Sequence, residues 1–170
     1  MSAVPGVIQV GGVSHQLGNG ADRASDYKLS FEDTPFVMRD FIVDNHYLDN
    51  LEVSFVAGKN FESVKEGEIE RHVILNERAL QEFKFADPTS AIGQSIFVDD
   101  SIALTVIGVV KNFHFRPMTY EIGPLAMRYN TKQISFASAR IVPGQEETVK
   151  AYLQPLWKRF DAVHDLCRQK

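Results

Sequence analysis

The stretch HVILNERALQEFKFADPTSAIGQSIFVDDSIALTVIGVVKNFHF, His72 to Phe115, decides how the chain folds. Val73, Ile74 and Leu75 form a short apolar run that suits a buried strand, and the side-chain oxygen of Asn76 behind it can take a free amide of a first helical turn. A helix is therefore expected from Asn76, with Glu77 at the positive end of its dipole and Ala79, Leu80 and Phe83 on one apolar face. Between Ala86 and Ser90, the pair Asp87-Pro88 cannot continue that helix, and Gly93 then frees the backbone to enter a strand at Ile96–Val98. Asp99, Asp100 and Ser101 have the composition of a tight turn. Ile102 to Val110 is apolar on both faces, as suits an interior strand covered on both sides, and Gly108 within it predicts close approach of another backbone.

Outward from this stretch, Val7 to Val13 reads as a first strand, with Gly11-Gly12 loosening its far end. Gln16 to Ala24 reads as loop, with Gly18-Asn19-Gly20 as its turn. Tyr27 to Phe31 and Phe36 to Val43 read as strands, the second feeding Asp44 or Asn45 as cap of a short helix from about His46 to Leu51, and Val53 to Ala57 as an extended segment ending at Gly58. Met118 to Leu125 is an extended return with Pro124 at its turn, and Ile134 to Val142 alternates as a strand. Pro143-Gly144 breaks that strand, and Glu146-Glu147 open a last helix in which Val149, Leu153, Leu156, Trp157 and Phe160 form a stripe expected to be buried. Pro155 is expected to kink that helix or start a second one. Strands and helices alternate with hairpin-like pairing in the middle, which points to an α+β fold.

With 170 residues the chain can build one good core, or one shared by two small subdomains. Eighteen basic against 22 acidic residues give a net charge of -4, which offers no broad footprint for nucleic acid or anionic lipid, and nucleic acid is excluded as a class of partner. The single cysteine, Cys167, excludes an internal disulfide and a cysteine-rich metal site. The N-terminus has no basic region followed by an apolar run, and nowhere do the roughly 18 apolar residues of a membrane span run together.

Signatures of catalysis are missing. There is no G-x-S-x-G, H-E-x-x-H, Walker loop or C-x-x-C, and the glycines from Gly11 to Gly20 lack both G-x-G-x-x-G and a Lys-Ser/Thr close. His15, His46, His72, His114 and His164 are scattered singly. Glu62, Glu66, Glu68 and Glu70 lack the spacing of a calcium loop and read as a solvated acidic segment. No catalytic residue, metal ligand or cofactor site is assigned. Phe113, His114, Phe115 and Arg116 put aromatic, titratable and basic groups together at a strand end. They read either as two core aromatics flanking an outward histidine, or as a contact for a partner.

The ordered pieces ILNERALQEF, a proline, AIGQSI, TVIGVVKNFHF and Ile122-Gly123-Pro124-Leu125 resemble the periplasmic core domain of MacB-type (FtsX-like) ABC transporter permeases. Val43 to Phe61 is similar to that family's helix-to-strand segment, and Pro5-Gly6-Val7 to its opening strand. Lys84 stands where the family usually ends a helix with glycine, Gln94 where a Lys is common, and the chain beyond Phe160 departs from the family's close. The resemblance implies a discontinuous porter-like subdomain built from both chain ends, residues 1–58 and 119–170, with a smaller mixed α/β subdomain, residues 59–118, inserted between them. It further implies a non-catalytic periplasmic domain of an inner-membrane protein, a piece of a longer chain whose Met1 is not the natural start. Its partners would be a second permease copy, a cytoplasmic ATPase, and a periplasmic adaptor or outer-membrane component. Such a part works as a lever, with packed subdomains joined by a narrow hinge. A periplasmic ligand-binding or sensing module, marked by an apolar cleft, and a small enzyme with an unrecognised site are the alternatives.

Overall fold

The computed structural model describes residues 4–18, 23–62 and 70–160, with Phe160 described by its backbone alone. Among them are strands β1 (Val7–Val13), β2 (Arg23–Lys28), β3 (Phe36–Val43), β4 (Phe55–Gly58), β5 (His72–Asn76), β6 (Ser95–Val98), β7 (Ile102–Val110), β8 (Leu125–Tyr129) and β9 (Phe136–Ile141). The helices are α1 (Tyr47–Asn50), α2 (Glu77–Phe83), α3 (Pro88–Ala91) and α4 (Glu146–Phe160). The fold is mixed α/β, rich in strands and poor in helix.

Six strands close on themselves. β2 pairs with β6, β6 with β7, β7 with β5, β5 with β8, β8 with β3, and β3 returns to β2. β5 lies parallel to β7 and β3 parallel to β8, while the other four pairings are antiparallel. Beyond β3 lies β1 and then β9, and β4 pairs with β7. Alternate side chains of all six ring strands meet in one core: Tyr27, Met38, Val73 and Leu75, Ile96, Leu104 and Ala126. Ala79, Leu80 and Phe83 of α2 join that core, which is how the amphipathic helix hides its apolar face. The opposite faces of β3, β5 and β8 carry Phe41, Val43, Ile74, Leu125 and Met127 into a second core with Tyr47 and Leu48 of α1 and with Phe115. Strands buried on both faces explain the continuous apolar runs in the sequence.

Local chemistry sets the boundaries. Asn76 Oδ1 accepts from the Ala79 amide at 3.0 Å and starts α2 as expected. Lys84 closes it in the left-handed region, φ 58°, without the glycine usual there. α2 does not continue through Asp87-Pro88, where a separate helix begins. Asp87 and Ser90 form a reciprocal capping box and Pro88 begins α3, where its missing amide hydrogen costs nothing. Gly108 is an inner residue of β7 at which a Cβ would stand 2.5 Å from the Lys59 carbonyl oxygen, the close approach its position foretold. Asp44, outside α1, accepts from the amides of His46 and Tyr47 through Oδ1.

β2 lies upstream of the expected Tyr27–Phe31 strand, because Ser25 and Tyr27 point into the ring while Ser30 and Asp33 make a turn after it. The extended return expected over Met118–Leu125 is loop up to Pro124, and the strand β8, buried from Leu125 to Arg128, begins where that expectation ended. The Gly18–Gly20 turn lies partly outside the described residues, as do Glu66, Glu68, His164 and Cys167.

The chain divides into two compact units, Gly11–Ser138 and, together, the residues up to Val10 and from Ala139 onward. The boundaries expected at 58/59 and 118/119 both fall inside the first unit, since β6 pairs with β2 and β5 with β8 across them. In the second unit the Val142 amide donates to the Gly6 carbonyl at 2.9 Å, and Val149 of α4 is buried over Gly6, at which a Cβ would lie 3.0 Å from Val149 Cγ2. The stripe beyond Val149 is not buried as expected: Leu153 is half-buried, and Leu156 and Trp157 are exposed. α4 continues through Pro155 as a single helix.

Candidate functional site

Two features of the unit Gly11–Ser138 hold polar chemistry. The first lies inside the strand ring, where the inward alternation that carries Tyr27, Met38 and Ala126 continues into Ser25, Asp40 and Arg128. Asp40 Oδ2 accepts from Ser25 Oγ at 3.0 Å, Tyr27 Oη at 3.1 Å and Arg128 Nη1 at 2.9 Å. Its Oδ1 faces Arg23 Nε at 3.3 Å. Arg128 turns its other edge to Glu70, Nε donating to Oε1 at 2.5 Å and Nη2 to Oε2 at 3.0 Å, a bidentate pair. Asp40 and Arg128 are removed from solvent, and the Glu70 side chain nearly so. Burial, and then the Asp40 carboxylate beside it, hold the Tyr27 phenol well above its ordinary range. Burial, the largest single influence, works against the Arg128 charge, but the Glu70 hydrogen bonds together with the electrostatic attraction of Tyr27, Glu70 and Asp40 outweigh it and keep the guanidinium above its ordinary value. Among the described residues Asp40 Oδ1 is buried with only the ionic contact to Arg23 and no hydrogen bond, while the other polar edges of Asp40 and Arg128 are taken up within the set, and the arrangement ties β2, β3, β8 and residue 70 together. Glu70 is thus not part of a solvated acidic segment; Glu62, which pairs with Lys59 and is lowered by that hydrogen bond, is exposed.

The second feature is the loop from Lys111 to Pro124, and both its ends are fastened to the start of α2. The Asn112 amide donates to Glu77 Oε2 and the Arg78 amide to Asn112 Oδ1, both at 3.0 Å. At the other end Asn76 Nδ2 donates to the Gly123 carbonyl and Asn76 Oδ1 accepts from the Leu125 amide, both at 2.9 Å. Of the four residues singled out in the sequence, Phe115 is buried against Phe41, ring centroids 5.8 Å apart, and Phe113 is half-buried beside it. His114 is exposed. Arg116 lies over the Tyr120 ring, 4.1 Å from its centroid, a cation–π contact at the surface. Met118, between them in the chain, is 85% exposed, next to a turn closed by the Tyr120 amide on the Pro117 carbonyl. The loop therefore has a core anchor, Phe115, and an outward surface of His114, Arg116, Met118 and Tyr120. Met118 and Tyr120 escaped the sequence reading because single exposed apolar residues carry no periodicity.

The remaining histidines are apart. His15 Nδ1 is bonded to Ser14 Oγ at 2.7 Å, His46 sits beside Asn45, and His72 is exposed at the start of β5. Among the described residues no group of three or more His, Cys, Asp or Glu side chains could hold a metal ion, and no helix is long and apolar enough to cross a membrane.

No family model and no curated protein matches the chain. Solved structures do. The extracellular domain of the noncanonic ABC-type transporter YknZ from Gram-positive bacteria superposes with a TM-score of 0.67 at 15% identity, over 95% of this chain and 80% of that one. This is the fold of an ABC-permease extracytoplasmic domain. A domain assigned to a permease protein of Porphyromonas gingivalis shares the permease-domain fold with a TM-score of 0.65 at 16% identity, over 96% of this chain and 75% of that one. The periplasmic region of MacB from Actinobacillus actinomycetemcomitans shares it with a TM-score of 0.56 at 14% identity, over 89% and 68%. The likeness takes in both compact units, so the permease-domain fold extends over nearly the whole chain.

Proposed function

We propose that this chain is the extracytoplasmic domain of an ABC transporter permease. It relays conformational change driven by a cytoplasmic ATPase and carries out no chemistry of its own. The observation that supports this reading is the permease-domain fold over 95% of the chain. The interior agrees with a part that bears load. A closed ring of strands, cores on both faces of β3, β5 and β8, and a buried ionic set crossing three strands make a stiff body, because packed interiors shift between discrete arrangements and do not yield continuously. In the membrane protein two copies would face each other on the outer side. The outward side chains of that loop, His114, Arg116, Met118 and Tyr120, held from within by Phe113 and Phe115, form the surface we assign to a periplasmic adaptor or outer-membrane partner.

The test uses the full-length permease reconstituted with its ATPase. A spin label at exposed Thr89, introduced as Thr89→Cys with Cys167→Ser, reports the distance between the two copies. A change between nucleotide-free and ATP-bound states is expected, and an unchanged distance in an active transporter would overturn the reading. Calorimetry of the isolated chain with peptides separates the alternative of a capture module: saturable micromolar binding would favour it over the lever.

A further inference from the structure

α4 is buried at Val149 in its first turn and more exposed along its length. Val149 is 5% exposed, Leu153 half-buried, and Tyr152, Leu156 and Trp157 are 41%, 39% and 39% exposed. At 3.6 residues per turn Tyr152 and Leu156 lie one turn apart on one face, as do Leu153 and Trp157 beside them. Lys150 comes two turns before Trp157 and Arg159 two turns after Tyr152, so a cation flanks each edge of this apolar and aromatic face. From Thr148 to Arg159 the helix holds three cations, Lys150, Lys158 and Arg159, and no acidic residue, although the chain as a whole is acidic at -4. Large apolar and aromatic side chains bordered by lysine and arginine whose stems can lie along the surface are what the boundary of an anionic bilayer accommodates. We propose that the outer half of α4 docks on an anionic lipid surface, with Leu156 and Trp157 in the acyl-headgroup boundary and Lys150, Lys158 and Arg159 against lipid phosphates. The assignment rests on unit geometry and charge, and it stands or falls independently of the permease reading.

Trp157 is the only tryptophan in the chain, so its emission reports this helix alone. The protein is titrated with phosphatidylcholine vesicles with and without phosphatidylglycerol, with flotation run in parallel. A blue shift of Trp157 and co-flotation are expected with the anionic vesicles, reversed by high salt because the cations work through a screened surface potential. The triple variant Lys150→Gln, Lys158→Gln, Arg159→Gln is expected to lower partitioning by about tenfold or more. No co-flotation, binding equal on neutral vesicles, or binding that survives high salt would each overturn the proposal. Co-flotation with unchanged tryptophan emission would remove α4 as the contact. The salt arm needs no substitution, so a triple variant that melts early leaves the test intact.

Discussion

Arg128 Nη1 donates to Asp40 Oδ2 at 2.9 Å, and neither side chain is more than 1% exposed. Removing Asp40 leaves the buried guanidinium with Glu70 alone, and removing Arg128 leaves the buried Asp40 and the nearly buried Glu70 short of their cation. Asp40→Ala or Arg128→Leu is therefore expected to destabilise the fold by about 3–5 kcal/mol. The double variant Asp40→Leu, Arg128→Leu is expected to cost less than the sum of the two singles, since each single already loses the Asp40–Arg128 contact, although the double still leaves Glu70 without its guanidinium partner. Urea unfolding of the four proteins measures this, and strictly additive losses would show that the pair does not act as a unit.

Asn76 serves two elements at once, its Oδ1 accepting from the Ala79 and Leu125 amides and its Nδ2 donating to Gly123. Asn76→Ala would leave buried amides of α2 and β8 without acceptors, and the expected loss is about 2–4 kcal/mol, the cost of a lost cap plus an orphaned buried donor. Hydrogen exchange at Leu125 should quicken in the variant far more than exchange at Val106 in the middle of β7. Equal acceleration at both would mean that Asn76 matters only to global stability.

What could be read in advance follows from how each element buries itself. Ile102–Val110 was legible to the residue because a strand covered on both faces leaves a nearly continuous apolar run, and Phe36–Val43 was legible from its apolar ends although Arg39-Asp40 interrupt it. The Asn76 cap was legible because capping is local. RASDYK in β2 has no apolar pattern, since Ser25 and Tyr27 turn inward only to meet Asp40, and that partner becomes visible only when β3 is paired beside it. β8 was hidden for the same reason: Arg128 breaks LAMRY as an apolar run, and its two carboxylates lie 58 and 88 positions away in the chain. The α4 stripe predicted a helix correctly but not its cover, because periodicity fixes which residues share a face and not what lies against it.

Gly108→Ala is expected to cost about 1–3 kcal/mol, and Gly108→Val more, because the added Cβ meets the Lys59 carbonyl oxygen at 2.5 Å. Gly93→Ala is the control. There φ is +84° and the space is open, so its cost of about 1 kcal/mol comes from the backbone alone. Thermal melting of both variants compares the two effects, and a Gly108→Val protein that melts like the parent would contradict the packing of β7 against Lys59.

Lys84 holds a left-handed backbone at φ 58° on an exposed position, where a side chain carries a steric penalty and glycine carries none. Lys84→Gly is therefore expected to raise stability by roughly 0.5–1 kcal/mol, against the usual trend for glycine in a helix. The neighbouring Glu82→Gly, inside α2, should lower it by about 1 kcal/mol. Chemical denaturation that found both substitutions destabilising would mean that the cap is not left-handed in solution.

High pH isolates the buried phenols. Tyr27 and Tyr47 are both held above the ordinary tyrosine value, chiefly by burial and, for Tyr27, also by Asp40. In the unfolded chain each ionises near pH 10, whereas in the native state each keeps its proton. Above that pH the unfolded state binds fewer protons than the native one, so unfolding free energy falls as pH rises, by up to about 1.4 kcal/mol per pH unit for each retained proton. Below the unfolded value both states are protonated and the two groups add no slope. Tyr47→Phe is expected to remove as much as one proton from the slope between about pH 10 and 11.5, and Tyr27→Phe likewise on a lower baseline, because Asp40 loses a donor. Urea titrations across that window, with phenolate absorbance near 295 nm followed in parallel, decide the matter. A phenolate signal that rises fully before the protein unfolds would show that these two hydroxyls are open to solvent.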